Sequence, residues 1–296
     1  MLLFYSCKEE LNTSIHVDRN LRTKLSSNQL KTITRLTIKG TIDAQDIRFM
    51  RDSMPQLSYL DMSNVIIAEY KGDKGTMMYQ PTNYPKNEIP ISAFSIYGKG
   101  KKTLREVILP YSITSIGELA FMGCENLDSI TIPKMVTSIG NYVFAYCFNL
   151  EHARIMSPLE NISDCSFKYC LNLREINIPN SVKTIKSSAF EYCVCLTDLE
   201  IPNSVVEISD DAFINCTSLN TLKIPHSLKW IGSNAFDYCN NLNSIYSYAI
   251  IPANTASDNI FSDSIKSSCI LYVPTTSINA YMTATHWKDF SNIVGM

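Results

Sequence analysis

A strict 23-residue period constrains the fold of this chain more than any other feature of its sequence. A phenylalanine recurs at that spacing, at Phe121, Phe144, Phe167, Phe190, Phe213 and Phe236. A cysteine follows each phenylalanine at the third position, and a leucine follows each cysteine three positions later. A fixed period of this size is typical of stacked repeats, in which each coil contacts only its neighbours. The sequence therefore predicts a solenoid rather than a globule built around one pocket.

Each repeat contains the pattern of one short strand. In the first full repeat, Ile130 and Ile132 alternate with Ser129 and Thr131, so one side of the strand faces the interior and the other faces solvent. Pro133 ends the strand because it has no backbone N–H to donate. A single coil cannot bury its own apolar edge, so we expect stacking to form continuous ladders of Phe, Leu and Ile.

The full repeat reads A-F-x-x-C-x-x-L-x-x-I-x-I-P-x-S-V-x-x-I and resembles the BspA-type (Treponema pallidum-type) leucine-rich repeat family, common in surface proteins of Bacteroidetes. The Asn-Ser-Val signatures at 180–182 and 203–205 match that family closely, and the resemblance covers roughly residues 30–296. It implies an α/β-type leucine-rich repeat solenoid of 23-residue coils, with a parallel sheet on the concave face, turns on the convex face and small helical caps. Because the family is defined by its scaffold, it constrains function less than fold.

Departures from the period predict how the chain is divided. The predicted segments are a lipoprotein signal remnant at 1–7, an N-terminal linker or cap at 8–30, irregular repeats at 31–103 with an inserted loop at 64–97, regular repeats at 104–250 and a capping repeat at 251–296. The first strand is predicted within 31–40, a helix capped by Asp43 follows it, and a second helix is predicted from Ser277 to Thr285. The coil at 144–167 should be the least regular, because Met156 replaces the proline and Cys165 is out of register.

The cysteines of the repeat are expected to form a buried ladder of free thiols, since cysteine packs as a small hydrophobe. Disulfides between adjacent coils are the alternative, because equivalent positions would lie about 5 Å apart. Their side chains would point in parallel, however, which disfavours pairing. A zinc site is a weaker interpretation, since only Cys193 and Cys195 are close in sequence and no histidine stands at ligand spacing. No cofactor and no metal are predicted.

The N-terminus predicts a surface location. Residues 1–7 resemble the end of a bacterial lipoprotein signal with Cys7 as the acylated residue, and residues 8–10 resemble the lysine-plus-acid signal for the outer face of the outer membrane. The basic start of such a signal is missing, so an ordinary N-terminus with a chance cysteine is the alternative. No run of 18 apolar residues is present, so membrane contact is expected only through a lipid anchor. The expected location is the cell surface, as an outer-membrane lipoprotein, or secretion.

The outward strand positions form the candidate binding site. We select the residues His152, Arg154, Arg174, Glu175, Asp198, Glu200, Lys223 and Tyr246. A broad face of mixed charge suits a protein or glycan partner. The alternative is a solvated face with ion pairs worth about 0–1 kcal/mol each. The insertion at 64–97 is interpreted as a tolerated loop packed on the edge, and a binding loop is the alternative.

Other classes of function are disfavoured. The sequence lacks a G-x-S-x-G elbow, an H-E-x-x-H motif and a nucleotide-binding glycine loop, so no catalytic residue is predicted. Lys plus Arg number 26 against 28 Asp plus Glu, so no basic excess supports nucleic-acid binding. We expect a non-catalytic, monomeric surface protein for protein binding or adhesion. The resemblance implies host extracellular matrix proteins, such as fibronectin or fibrinogen, as partners. An accessory lipoprotein for glycan capture, or a structural scaffold, is the alternative.

Overall fold

The computed structural model describes residues 12–77 and 82–296, so the predicted lipidation site Cys7 lies outside the described residues. The N-terminal part contains β1 Asn12–Asp18, α1 Ser27–Thr32, β2 Arg35–Ile42, α2 Ala44–Ser53, β3 Tyr59–Ile67, β4 Tyr70–Gly72, β5 Thr82–Tyr84, β6 Glu88–Ile89, β7 Ser95–Ile96 and β8 Lys99–Gly100. The repeats contain β9 Glu106–Ile108, β10 Ser115–Ile116, β11 Ser129–Ile132, β12 Ser138–Ile139, β13 His152–Ile155, β14 Asn161–Ile162, β15 Glu175–Ile176, β16 Thr184–Ile185, β17 Asp198–Glu200, β18 Glu207–Ile208, β19 Thr221–Ile224, β20 Trp230–Ile231 and β21 Ser244–Ser247. The C-terminal part contains β22 Asn254–Thr255, α3 Asp263–Ser268, β23 Ile270–Val273, α4 Ile278–Thr283 and β24 Asn292–Gly295.

Parallel strands stack along the chain, which confirms the predicted solenoid. The wide strands form one sheet in the order β1-β2-β3-β9-β11-β13-β15 and a second in the order β17-β19-β21-β23-β24. Narrow strands on a second side of the coils pair as β6-β10-β12 and as β14-β16-β18-β20-β22. The register follows the sequence period, since Ser129 lies opposite His152 and His152 lies opposite Glu175.

A column of phenylalanine rings forms the centre of the core. The rings of Phe94, Phe121, Phe144, Phe167, Phe190, Phe213, Phe236 and Phe261 stack in that order, with neighbouring centroids 5.1–5.5 Å apart. The column extends beyond the regular repeats at both ends. Phe94 and Phe261 join it although each lies more than 23 residues from its neighbour in the sequence. At its C-terminal end, Trp287 and Phe290 pack against Phe261.

The repeat cysteines form the predicted buried column of free thiols beside the phenylalanines. Each thiol donates a hydrogen bond to the phenylalanine carbonyl of the preceding coil, as Cys170 does to Phe144 at 3.2 Å and Cys216 does to Phe190 at 3.3 Å. Burial raises the pKa of Cys124 and of Cys239 to about 12 and holds the pKa of the thiols between them well above the ordinary value. The cysteine therefore satisfies a buried carbonyl, a role that alanine cannot take.

These thiols are expected to be inert toward Ellman's reagent in the native chain. In a Cys7→Ser/Cys195→Ser background, which removes the half-exposed Cys195, no fast reaction should occur at pH 8, because the thiolate is the nucleophile. The remaining eight of the ten cysteines should all react in guanidinium without reductant. Fast native titration would contradict burial, and fewer than eight thiols in guanidinium would indicate disulfides.

The raised pKa of the buried thiols determines how the stability of the fold changes with pH. The unfolded thiol loses its proton near pH 9.0, whereas the folded thiol of Cys124 keeps it until about pH 12. The stability contributed by the thiols is therefore complete below pH 9 and declines as the pH rises toward 12.

Each repeat closes with a turn in which two residues have left-handed backbone. These residues lie two positions before and two after the phenylalanine, as Tyr142 (φ 56°) and Tyr146 (φ 61°) do around Phe144. In the preceding turn, the N–H groups of Leu119, Phe121 and Gly123 all donate to carbonyl oxygens of the next coil, at 2.8–3.0 Å. The turns thus form a third backbone ladder, and its N–H groups point in one direction along the solenoid.

The N-terminal part is more regular than predicted. Residues 12–18 form β1, which pairs in parallel with β2, so the first strand lies before the predicted 31–40 and inside the predicted linker at 8–30. The alternation of Ile15 and Val17 with polar neighbours is sufficient for an edge strand, although the repeat residues are absent. The predicted loop at 64–97 is also shorter, because β3 extends to Ile67 and β6 already joins the narrow sheet. The helix predicted after Asp43 is present as α2, and the Asp43 carboxylate caps it.

Two further expectations are met only in part. The narrow sheet does break in the coil at 144–167, between β12 and β14, but β13 in that coil pairs regularly on both sides. The helix after Ser277 ends at Thr283 rather than at Thr285, and the Ser277 hydroxyl makes no capping hydrogen bond. Ser247, which replaces an inward apolar residue, is buried and lies 2.6 Å from the Tyr281 hydroxyl.

Candidate binding face

The outward positions of the wide strands form the concave face, and all eight candidate residues lie on it or at its edge. Lys223 and Tyr246 are half-buried, whereas the other six are exposed. The parallel register places residues that are 23 positions apart side by side, so Glu200, Lys223 and Tyr246 form one row across three strands. The strand alternation thus converts scattered sequence positions into rows.

The first group of candidates lies on β13 and at β15. His152 Nδ1 is 3.3 Å from Glu175 Oε2, and both side chains are more than half exposed. Arg154 and Arg174 are exposed, and neither has a carboxylate within ion-pair distance in the part of the chain that the structure describes. Exposed ion pairs contribute about 0–1 kcal/mol. The two arginines are therefore the cations of this group that remain available to a partner.

The second group lies on β17, β19 and β21. Glu200 Oε2 is 3.4 Å from Lys223 Nζ. Asp198 accepts a hydrogen bond from the Thr197 hydroxyl at 3.3 Å and has no cation beside it among the described residues. Tyr246 stacks on Tyr272 of β23, with ring centroids 4.7 Å apart and planes 8° apart.

A gap in the wide sheet separates the two groups. The Asn177 side chain takes the place of a strand here: it accepts from Ile155 N and donates to Ile155 O, both at 2.8 Å. The wide sheet is interrupted at this point, because β15 is not paired with β17. The gap opens a groove of about 480 Å³ that is lined by the half-buried Ile176 and Ile178 and by polar side chains that include Asp198, Glu200 and Lys223. The candidate face is therefore two charged surfaces on either side of a mostly polar groove that contains two isoleucines.

Sequence reasoning did not identify this gap or Tyr272. An asparagine at an outward strand position is unremarkable, and nothing in the sequence shows that Asn177 bonds to the backbone of the preceding coil. Tyr272 could have been found from the alternation of Ile270–Val273, but the coil before it is longer than 23 residues.

Two other features of the surface were not predicted. The Arg35 guanidinium lies over the Tyr59 ring, 3.8 Å from its centroid. An exposed apolar cluster of Tyr111, Met135 and Met156 lies beyond the C-terminal ends of the wide strands.

Several titratable side chains of this face lie in exposed ion pairs. No group of three His, Cys, Asp or Glu side chains within residues 12–77 and 82–296 is arranged to hold a metal ion. His152 lies 3.3 Å from Glu175 and 3.9 Å from Glu151, and both carboxylates can accept a hydrogen bond from its ring N–H groups. None of the helices in those same ranges combines the length and the apolar composition needed to cross a membrane.

Comparison with known proteins identifies the repeat. The family model described as the BspA-type leucine-rich repeat region matches residues 87–217 and 183–286, which together exceed half of the chain. A leucine-rich repeat protein from Bacteroides ovatus has a similar fold, with a TM-score of 0.61, 21% sequence identity and coverage of 95% of this chain. The aligned region spans 64% of that protein, less than two thirds of its length. A leucine-rich cell surface protein from Faecalibacterium prausnitzii aligns at a TM-score of 0.45 and 22% identity, over 96% of this chain and 79% of that one. No curated protein matches the chain.

Proposed function

The chain belongs to the BspA-type leucine-rich repeat family, and from this premise we propose that it is a non-catalytic surface protein that binds a protein partner through the concave face. Membership of the family suggests protein binding and a surface location in general terms. The observation that carries the specific proposal is the groove across this face, in which the half-buried Ile176 and Ile178 lie among charged and polar side chains. Interfaces concentrate their binding energy where an apolar anchor is enclosed by polar contacts.

The electrostatics favour a partner of mixed charge. Arg154 and Arg174 lie on one side of the groove, and Asp198 lies on the other. Ionised groups without an internal partner need only to lose water when they meet an opposite charge, and they do not have to give up an existing pair. We infer a partner that presents acidic groups beside an apolar side chain, with a basic group beyond them.

The tyrosine pair is the observation on this face that favours the glycan alternative. A sugar ring binds to the face of an aromatic ring, and Tyr246 and Tyr272, stacked at 4.7 Å, each have one ring face that the other does not cover. Glycan capture therefore stays the alternative, and this pair supports it.

We propose surface attachment through a lipid on Cys7 and adhesion to host extracellular matrix proteins as the finer form of this function. The support is the sequence Tyr-Ser-Cys-Lys-Glu-Glu at 5–10 and the resemblance described above. Metabolic labelling with an alkyne fatty acid would test the anchor. Label that is retained in a Cys7→Ser variant would contradict it.

Reversal of the two free arginines is expected to weaken partner binding about tenfold or more, which corresponds to about 1.4 kcal/mol. The measurement is surface plasmon resonance of residues 8–296 over immobilised fibronectin, fibrinogen and a glycan array. The test variant is Arg154→Glu/Arg174→Glu. The matched control is Lys183→Glu/Lys229→Glu, because both lysines are exposed beside the narrow strands and the net charge changes equally.

The outcomes separate the possibilities. A saturable protein signal that the test variant loses and the control retains supports the proposal. Equal loss in both variants would indicate net charge rather than the concave face. Signals on glycans alone would favour glycan capture, and unchanged binding by the test variant would exclude this face.

A further inference from the structure

A second cleft, remote from the groove, lies beside α2 at the N-terminal end. It has a volume of about 1070 Å³ and is bordered by α2, by the turn after β1 and by the β4–β5 hairpin. Its lining includes the basic side chains Arg19, Arg22, Lys71 and Lys74 and the aromatic side chains Phe49 and Tyr70. The proposed concave-face function uses none of these residues.

Most carboxylates of this cleft already have partners. Asp43 caps α2 and accepts from Gln45 N at 2.8 Å. Asp46 is buried and accepts from Leu21 N at 2.7 Å. Asp52 lies 2.7 Å from the buried Arg51 and also pairs with an arginine one helical turn before it. These charges are therefore neutralised or solvated by the protein itself.

The basic side chains of the cleft, in contrast, are not neutralised by carboxylates of the protein. Arg19, Arg22, Lys71 and Lys74 are exposed, and none has a carboxylate within ion-pair distance in the ranges 12–77 and 82–296. Among the lining carboxylates in the same ranges, the buried Asp43 and Asp46 and the exposed Glu69 have no cation within ion-pair distance, so the positive excess lies in the exposed side chains. The chain as a whole has a net charge of −2, so this local excess of positive charge does not follow from composition. A cleft whose exposed side chains are mainly cationic concentrates anionic ligands.

The framework holds these cations in place. Arg19 and Asn20 both have left-handed backbone, with φ of 51° and 72°, and the Asp46 carboxylate receives the N–H of Asn20 at 3.3 Å. On the opposite wall, Arg48 Nη1 donates to Gly75 O at 3.3 Å and thereby ties α2 to the hairpin segment. The buried Asp46 carboxylate thus fixes the wall that carries Arg19, and the hydrogen bond from Arg48 to Gly75 fixes the wall formed by the hairpin segment. Walls that are already fixed lose less conformational entropy when a ligand binds.

We propose that this cleft binds an acidic oligosaccharide, whose sulfate or carboxylate groups contact the basic walls. The volume slightly exceeds the usual range of small-molecule clefts and is far larger than one inorganic anion needs. Asn20, Gln45, Ser53 and Asn83 add amide and hydroxyl groups to the lining, and these groups match the hydroxyls between the charges of such a chain. An acidic peptide shares the charge but not the dense hydroxyls.

The test uses a heparin-derived hexasaccharide and the full chain, titrated by calorimetry at 150 mM salt. We expect saturable 1:1 binding that weakens at least tenfold in Arg19→Glu/Lys71→Glu and that falls as salt is raised. The control is Lys183→Glu/Lys229→Glu, which makes the same charge change several coils away. Thermal melts of both variants show whether the fold is retained.

Each titration either supports or contradicts binding of the acidic oligosaccharide in the cleft. Selective loss in the Arg19/Lys71 variant, with no binding of an uncharged maltohexaose, supports the proposal. Absence of hexasaccharide binding, equal loss in the control variant, or equal affinity for an octaglutamate peptide would overturn it. Loss of matrix binding by the Arg154/Arg174 variant is a separate readout, so failure of one site is distinguishable from failure of the other.

Discussion

Deletion of residues 275–296 is expected to leave a chain that aggregates and no longer unfolds in a single sharp transition. The deleted segment contains α4 and β24, and β24 pairs in parallel along the whole of β23. Its removal would leave β23 as a bare sheet edge with unpaired N–H and C=O groups, which can pair with other chains. A solenoid end without its cap also presents core side chains to water.

The side chains lost with this segment cover the last ring of the phenylalanine column. Trp287 and Phe290 lie 6.0 and 5.4 Å from Phe261, measured between ring centroids. The Tyr281 hydroxyl donates to Ala249 O at 3.0 Å, and Trp287 Nε1 donates to Ala253 O at 2.9 Å. Each large side chain contributes about 2–3 kcal/mol by burial, and each buried carbonyl that loses its donor costs about 1–3 kcal/mol.

Size-exclusion chromatography and thermal melts followed by circular dichroism measure the effect of this deletion. Met282→Ser in the full chain is the control, because Met282 is 58% exposed on α4 and its change should leave the cap intact. A soluble truncated chain with the melting curve of the full chain would show that residues 275–296 do not act as a cap.

Phe190→Ala is expected to lower the free energy of unfolding by about 3–5 kcal/mol, through lost burial and the cavity that remains. The Phe190 ring is fully buried between Phe167 and Phe213, with centroids at 5.4 and 5.1 Å. Its neighbours are held by their own coils and cannot close the space, so the variant weakens two coil interfaces at once.

Urea unfolding followed by circular dichroism measures this loss. Tyr111→Ala is the matched aromatic control, since Tyr111 is 66% exposed and its removal should change stability by less than about 0.5 kcal/mol. An unchanged unfolding midpoint for Phe190→Ala would refute the column as a source of stability.

The interior of this protein was predictable and its outer face was only partly so. The inward residues recur at an exact period, and packing leaves few choices for Phe190 or Cys216 once the period is recognised. β1 was not predicted, because residues 12–18 lack the Phe, Cys and Pro of the repeat and only alternation marks the strand. The groove was not predictable either, since it depends on whether the Asn177 amide bonds to solvent or to the backbone of Ile155. Outward residues make few packing contacts, so their identity says less about where their side chains lie and what they bond to.

The backbone ladder of the turns gives one edge of the solenoid a column of aligned peptide dipoles. From Ser92 onward the turn N–H groups donate toward the C-terminal end, whereas N–H groups elsewhere in the coils, such as those of Thr137 and Gly140, donate toward the N-terminal end. Within the turn column the dipoles add as they do in a helix. The carbonyl end of this column carries partial negative charge and lies at the first turn. The buried guanidinium of Arg51 lies at that end and donates to Ser92 O at 2.8 Å and to Ser95 O at 3.1 Å. In a chain whose side-chain charges nearly cancel, the turn column thus begins with carbonyl oxygens that accept from a guanidinium, and Asp52, 2.7 Å from that guanidinium, balances its charge.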